Sequence, residues 1–102
     1  MHKRTKALAI PREVRRRVSE RDGGRCILCG LPGSPEAHYL PRAQGGLGIE
    51  ENILTLCRRC HRAYDGAKRK ELRPVLREYL REHYPGWDES SLIYQKWRDT
   101  NV

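Results

Sequence analysis

The sequence predicts a small α+β domain held together by a bound metal. Three observations carry that prediction. Two Cys-x-x-Cys pairs, Cys26 with Cys29 and Cys57 with Cys60, stand 27 residues apart and can present four thiolates to one cation. Between them, short apolar runs bounded by glycine- and proline-rich stretches read as strands. On either side, apolar residues recur at helical spacing. With 102 residues and 37% hydrophobic content, the chain is expected to form one domain, 1–102, whose core alone would leave it marginal.

Residues 1–9 read as a flexible basic arm. Pro11 suits the first turn of a helix because its φ is already set, and a helix over about 11–21 follows. Val14 and Val18 at i, i+4 give it a narrow apolar stripe with Ile10 just before it, and Asp22-Gly23-Gly24 stops it. Cys26 to Gly30 forms a knuckle, and Leu31 to Pro35 a turn-rich loop. Glu36 to Leu40 is expected as a first strand, 43–52 with three glycines as a loop, and Ile53 to Leu56 as a second strand. A helix runs from Arg58 to Tyr64 and breaks at Asp65-Gly66. Residues 10–66 thus make the metal-bound core.

The remaining stretch, 67–102, holds the clearest periodicity. Leu72, Val75, Leu76, Tyr79, Leu80 and His83 recur at helical spacing while Arg77, Glu78, Arg81 and Glu82 face away, giving an amphipathic helix over about 68–83. Pro74 either kinks it or marks its first turn, and Pro85-Gly86 ends it. The tail carries Trp87, Leu92, Ile93, Tyr94 and Trp97, enough apolar surface to pack back on the domain.

Charge narrows the class of partner. Twenty-one Lys and Arg stand against 13 Asp and Glu, for a net charge of +8. Eight of the basic residues lie within the first 21. Arginine donates two parallel hydrogen bonds to one phosphate, so a polyanion, most simply nucleic acid, is the expected partner. No apolar run is long enough to span a membrane. The start MHKRTKALAI lacks a signal peptide's apolar segment and cleavage site, which predicts a cytoplasmic protein with reduced thiols.

Reduced CxxC pairs read as metal or redox chemistry. A redox pair needs a βαβ context that the strand pattern does not offer. Four thiolates complete the tetrahedral shell that Zn²⁺ accepts and leave no position for a reacting water, so Cys26, Cys29, Cys57 and Cys60 predict a structural zinc rather than a catalytic one. Zinc in such modules contributes roughly 10–16 kcal/mol of apparent binding energy, comparable with the whole stability of a small domain.

Taken in order, RDGGRCILCG, AHYLPRAQGG and ENILTLCRRCH resemble the HNH endonuclease family, in its four-cysteine zinc-binding branch of bacterial and phage type. The resemblance covers about residues 12–66. It implies a zinc-stabilised ββα-metal core flanked by an N-terminal helix and the C-terminal amphipathic helix. It places His38 as general base, Asn52 as the Asn of the loop before the second strand, and His61 as a ligand of a catalytic metal, Mg²⁺ or Mn²⁺. Asp65 falls where many members have a further ligand, and at i+4 it shares a helix face with His61. Neutral imidazole, with an ordinary pKa of about 6.5, suits the task of taking a proton from water. Asn52, which both donates and accepts, is expected to tie the loop to backbone rather than to touch substrate.

Ala37 departs from the family's pattern, which commonly has Asp or His before the base as a metal ligand. Alternatively His38 is that ligand and Tyr39 stands in the base's place, although the spacing to Pro41 is then one residue short. Glu36 shares a strand face with His38 if the strand is regular and could orient the imidazole or help the metal. Arg15, Arg16, Arg42, Arg58, Arg59 and Arg62 are candidate phosphate contacts, which position nucleic acid without reading its sequence. The leading expectation is a metal-dependent endonuclease or nickase acting on double-stranded DNA, with a restriction or phage packaging partner. The alternatives are a non-catalytic zinc-stabilised DNA-binding or packaging-accessory module whose second metal site has decayed, and an RNA-directed module.

Overall fold

The computed structural model describes residues 3–95; Trp97 of the predicted packing tail lies outside the described residues. Helices α1 (Lys3–Leu8) and α2 (Arg12–Asp22) lead into strand β1 (Ser34–His38). Strand β2 (Ile53–Leu56), helix α3 (Arg58–Asp65) and helix α4 (Arg69–His83) follow. Short 3₁₀ turns occupy Arg42–Gln44, Glu50–Asn52 and Glu89–Leu92. The class is α+β, as the residue pattern predicts.

The strands pair antiparallel, with Ala37 opposite Leu54 and His38 opposite Ile53, and with an irregularity between Ser34 and Ala37. Every residue of β2 is buried. Leu54 and Leu56 join Tyr39, Tyr64, Leu76, Leu80 and Leu92 in the main core, while the β2 backbone is tied to the end of α2. Arg21 donates to the Ile53 carbonyl (2.7 Å), and the Thr55 N–H donates to the Asp22 carboxylate (2.9 Å). Gly23 in the left-handed region (φ 67°) ends α2, since a residue without Cβ takes that conformation freely.

Three expectations need correction. Residues 3–8 are not a flexible arm: they form α1, and Leu8 is buried at 3% exposure. Leu8 is the apolar residue that lets so short a helix dock, because an isolated six-residue helix does not hold itself in water. The first strand lies two residues earlier than predicted, at 34–38. Beyond His38 one in-register bond remains, the Tyr39 N–H on the Asn52 carbonyl (2.7 Å), and then the Leu40 N–H meets the Asn52 side chain (2.8 Å) in place of a backbone partner. On α4 the apolar stripe is narrower than its periodicity suggests, since Leu76 and Leu80 are buried but Val75 is 53% exposed.

The glycine-rich loop before β2 is clamped rather than loose. Gly48 N–H donates to the Ala7 carbonyl at the end of α1 (3.0 Å), Leu47 N–H to the Leu92 carbonyl (2.8 Å), and Tyr94 N–H to the Gly45 carbonyl (2.8 Å). A Cβ at Gly46 would overlap the Leu40 carbonyl, and one at Gly48 the Ala9 carbonyl. Neither glycine has positive φ, so the need here is space for close backbone approach. Ile93 and Trp87 pack against the main core, as predicted for the tail, and Trp87 meets Tyr39 edge to face at 5.5 Å. Among the described residues no helix is long and apolar enough to cross a membrane.

Candidate metal centre and active site

Backbone turns present the four cysteines. After α2, the Cys26 N–H donates to the Leu31 carbonyl (2.7 Å) and the Gly30 N–H to the Cys26 carbonyl (2.8 Å), closing the first knuckle. Cys57 caps α3: its sulfur accepts from the Cys60 N–H (3.4 Å), and its carbonyl accepts from the His61 N–H (2.8 Å). The four Sγ atoms all lie within 4.8 Å of one another, and those of Cys29 and Cys57 are 3.6 Å apart. A tetrahedral shell with Zn–S of about 2.3 Å has sulfur–sulfur edges of about 3.8 Å, so the cluster fits one metal ion and its all-sulfur donor set suits structural zinc. Burial opposes ionisation of Cys26, but backbone N–H groups of Cys57, Cys29 and Leu28 outweigh it and bring the thiol down to about 7.

Beside this cluster opens a cavity of about 660 Å³. β1 contributes Glu36 and His38 to its wall, α3 contributes His61 and Asp65, and Arg15, Arg42 and Arg69 reach it from other elements. Strand alternation explains the first pair: Glu36 and His38 face the cavity, while Ala37 between them is fully buried in the main core.

His38 Nε2 lies 2.9 Å from the Leu8 carbonyl oxygen. A carbonyl can only accept, so Nε2 carries the hydrogen and, in the neutral ring, Nδ1 carries the lone pair. Burial, with the charges of Arg42 and His61, lowers the His38 pKa against the opposing Leu8 carbonyl and Asp65. Its ring is therefore neutral at neutral pH. Across the cavity, His61 Nε2 and Asp65 Oδ2 are 3.2 Å apart, as one helical turn places them.

Residues 26–65 match the family model of the HNH endonucleases. This segment belongs to the HNH family. The match spans both cysteine pairs, His38, Asn52, His61 and Asp65, and the clustered thiols are consistent with the zinc-binding branch. The family implies nuclease activity in general. A search of curated proteins finds no significant match.

Within the HNH segment, Asn52 stands apart from the cavity. It is fully buried; its Oδ1 accepts from the Leu40 N–H (2.8 Å), and its Nδ2 donates to the carbonyls of Leu40 (3.2 Å) and Leu47 (2.9 Å). Enclosed by backbone, its side chain braces the loop and does not line the cavity.

The candidate phosphate contacts divide into two groups. Arg15 lines the cavity but pairs with Glu36 (2.7 Å), which explains why Glu36 does not turn to His38. Arg16 is held between Glu13 and Glu20 on its own helix, so two carboxylates already balance its charge. Arg42 lines the cavity, and Arg58, Arg59 and Arg62 are exposed on α3. Two participants escape sequence reading. The Leu8 carbonyl is a backbone atom thirty residues from His38, with no signature in residue type. Arg69 reaches Asp65 at 3.7 Å from the next helix; its i+4 spacing was visible, but the break at Gly66 hid that the stripe continues.

Proposed function

We propose that the chain is a metal-dependent DNA endonuclease or nickase with His38 as general base. One observation carries this reading: the neutral His38 ring, fastened through Nε2 with its Nδ1 lone pair available, shares one cavity with the His61–Asp65 pair. His38 Nδ1 would take a proton from a water as its oxygen attacks the phosphorus. The bond from phosphorus to the 3′ oxygen breaks, and that oxygen is protonated from solvent, leaving 5′-phosphate and 3′-hydroxyl ends.

His61 and Asp65 offer one imidazole nitrogen and one carboxylate, a donor set that fits a divalent ion such as Mg²⁺ or Mn²⁺ with waters in its other positions. Such an ion, when bound, neutralises charge on the phosphoryl oxygens and the departing 3′ oxygen. Among the described residues the cysteine cluster is the one group of three or more His, Cys, Asp or Glu ligands close enough to share an ion, so this second metal would be held by two protein groups and would exchange easily. Arg42 and Arg69 at the cavity favour an anionic substrate.

The test is nicking of supercoiled plasmid across a metal series. Native protein nicks with Mg²⁺ or Mn²⁺; His38→Ala keeps its zinc and fold and does not. Equal cleavage by both rejects His38 as base. The buried Ala37 methyl favours one second reading, a zinc-stabilised DNA-binding module without catalysis. Its mark is a gel shift with no cleavage under any divalent metal.

A further inference from the structure

Helix α4 separates its cations from its carboxylates. At about 100° per residue, Arg69, Lys70, Arg73, Arg77 and Arg81 fall within an arc of about 120°. Leu76 and Leu80 straddle one border of that arc, either side of Arg69, and are buried. Glu71, Glu78 and Glu82 occupy the arc beyond the other border. Segregation of this kind exceeds what solubility requires, for which interspersed charges serve.

The basic face lines a groove that begins at the active-site cavity. Arg69 lines both that cavity and a neighbouring hollow of about 440 Å³, whose other walls include Lys70, Arg73 and Arg77. Arg77 in turn lines a further hollow of about 370 Å³ together with Arg81. The three depressions thus connect through shared arginines. Three carboxylates also lie along this path: Asp65 meets Arg69 at 3.7 Å, Glu89 pairs with Arg73 and Arg77 at 3.0 Å each, and Asp88 lines the last hollow. Five cations still outnumber them. The Glu89 pairing holds Arg73 and Arg77 against the Tyr39 hydroxyl (3.3 and 3.2 Å), so these guanidiniums are positioned rather than waving in solvent.

We propose that this groove along α4 holds the phosphate backbone of the DNA strand leading into the cavity. The assignment of that strand as substrate rests on the endonuclease reading; the binding surface itself does not. From Arg69 to Arg81 the helix advances about 18 Å, long enough to follow several successive phosphates of one strand. The path ends at the His61–Asp65 pair, where a scissile phosphate has to sit. Contacts of this type set register without reading bases.

The experiment measures binding of a short duplex oligonucleotide by fluorescence anisotropy, without added divalent metal, over a range of salt. Lys70→Gln with Arg81→Gln removes two exposed cations at the two ends of the groove and disturbs neither the Glu89 cluster nor the active-site cavity. Removing one cation from a phosphate lowers the magnitude of the log–log salt slope by roughly 0.9, so the slope of the double variant is expected to be shallower by roughly 1.8. Glu78→Gln with Glu82→Gln raises net charge by the same amount on the acidic face and leaves the slope unchanged. A double cation variant with the native slope overturns the proposal, as does an equal response to the acidic-face pair, which would mean nonspecific attraction. The same change seen for RNA but not for DNA also overturns it in favour of an RNA ligand. Plasmid nicking, scored separately on native protein and His38→Ala, tells failure of this surface from failure of the nuclease reading.

Discussion

The His38 ring is fastened by Nε2 to the carbonyl oxygen of Leu8 at 2.9 Å, across thirty residues of chain. α1 therefore decides which ring nitrogen keeps the lone pair, and its buried Leu8 ties that choice to the core. Deleting residues 1–8 is expected to leave zinc content intact while slowing plasmid nicking by about 100-fold, the scale of a base misplaced by about 1 Å. Burial keeps the His38 pKa below its ordinary value of about 6.5, so cleavage by the intact protein persists at that pH and is lost only as pH falls through the lower folded value. In the truncated protein the exposed ring returns toward that ordinary value. Rate–pH profiles of both proteins check this; an unchanged rate after truncation contradicts it.

Ala37→Asp does not complete the metal site. Position 37 faces the core, opposite Leu54, at 0% exposure, and an unpaired carboxylate there costs about 3–5 kcal/mol. Lower melting temperature with no gain in Mn²⁺ affinity is expected, as measured by thermal denaturation and metal titration.

Asn52→Ala leaves the Leu40 N–H and the Leu40 and Leu47 carbonyls without their partner. Orphaned buried groups cost about 1–3 kcal/mol each, so a loss of about 3 kcal/mol is expected in chemical denaturation. Because the loop carries the Gly48 contact to α1, nicking falls as well, even at temperatures where the variant remains folded.

Removing zinc is expected to unfold the protein. A cluster worth roughly 10–16 kcal/mol exceeds the stability of a small domain, so chelation with a strong zinc ligand should abolish the helical circular dichroism, and Cys29→Ser should do the same without a chelator. Retained helicity in the zinc-free protein would show that the core suffices.

Asp22 makes stability sensitive to acid. Burial of its side chain opposes ionisation, but Arg21, the Tyr79 hydroxyl and the Thr55 N–H outweigh it and hold the carboxyl below its ordinary value. A lowered folded value means that the unfolded chain binds the proton first. The contribution is therefore full above the ordinary Asp value of about 3.9 and is lost as pH falls through the lower folded value. Zinc release also destabilises in acid, so the readout is the difference between native protein and Asp22→Asn in urea denaturation. That difference shrinks toward low pH.

The legible parts of the chain share a property. The two CxxC pairs, the i, i+4 relation of His61 to Asp65, and the Leu76–Leu80 stripe of α4 are all set by short spacings, which helix and turn geometry convert directly into position. The strand alternation that puts Glu36 and His38 on one wall is equally local, and β1 keeps it despite starting two residues early. The missed features are contacts between distant segments. Nothing in KRTKAL marks it as a docking helix apart from Leu8, because six residues are too few to show a stripe. Glu36 reads as a carboxylate able to orient His38 or help the metal until Arg15, twenty-one residues away, is found beside it.

By itself, the sequence determined which groups could do chemistry: four thiolates for a closed metal shell, one histidine ahead of Pro41, and a His–Asp pair one helical turn apart. Their identities and short spacings are covalent facts, and local geometry reads them out. Only the tertiary structure decided how they are held. The Leu8 carbonyl selects the His38 tautomer, Asn52 is sealed inside as a brace, Ala37 belongs to the core, and the arginines of α4 extend the cavity into a groove. Each depends on backbone atoms or side chains brought together by burial of a shared core, and such long-range pairings leave no periodic trace along the chain.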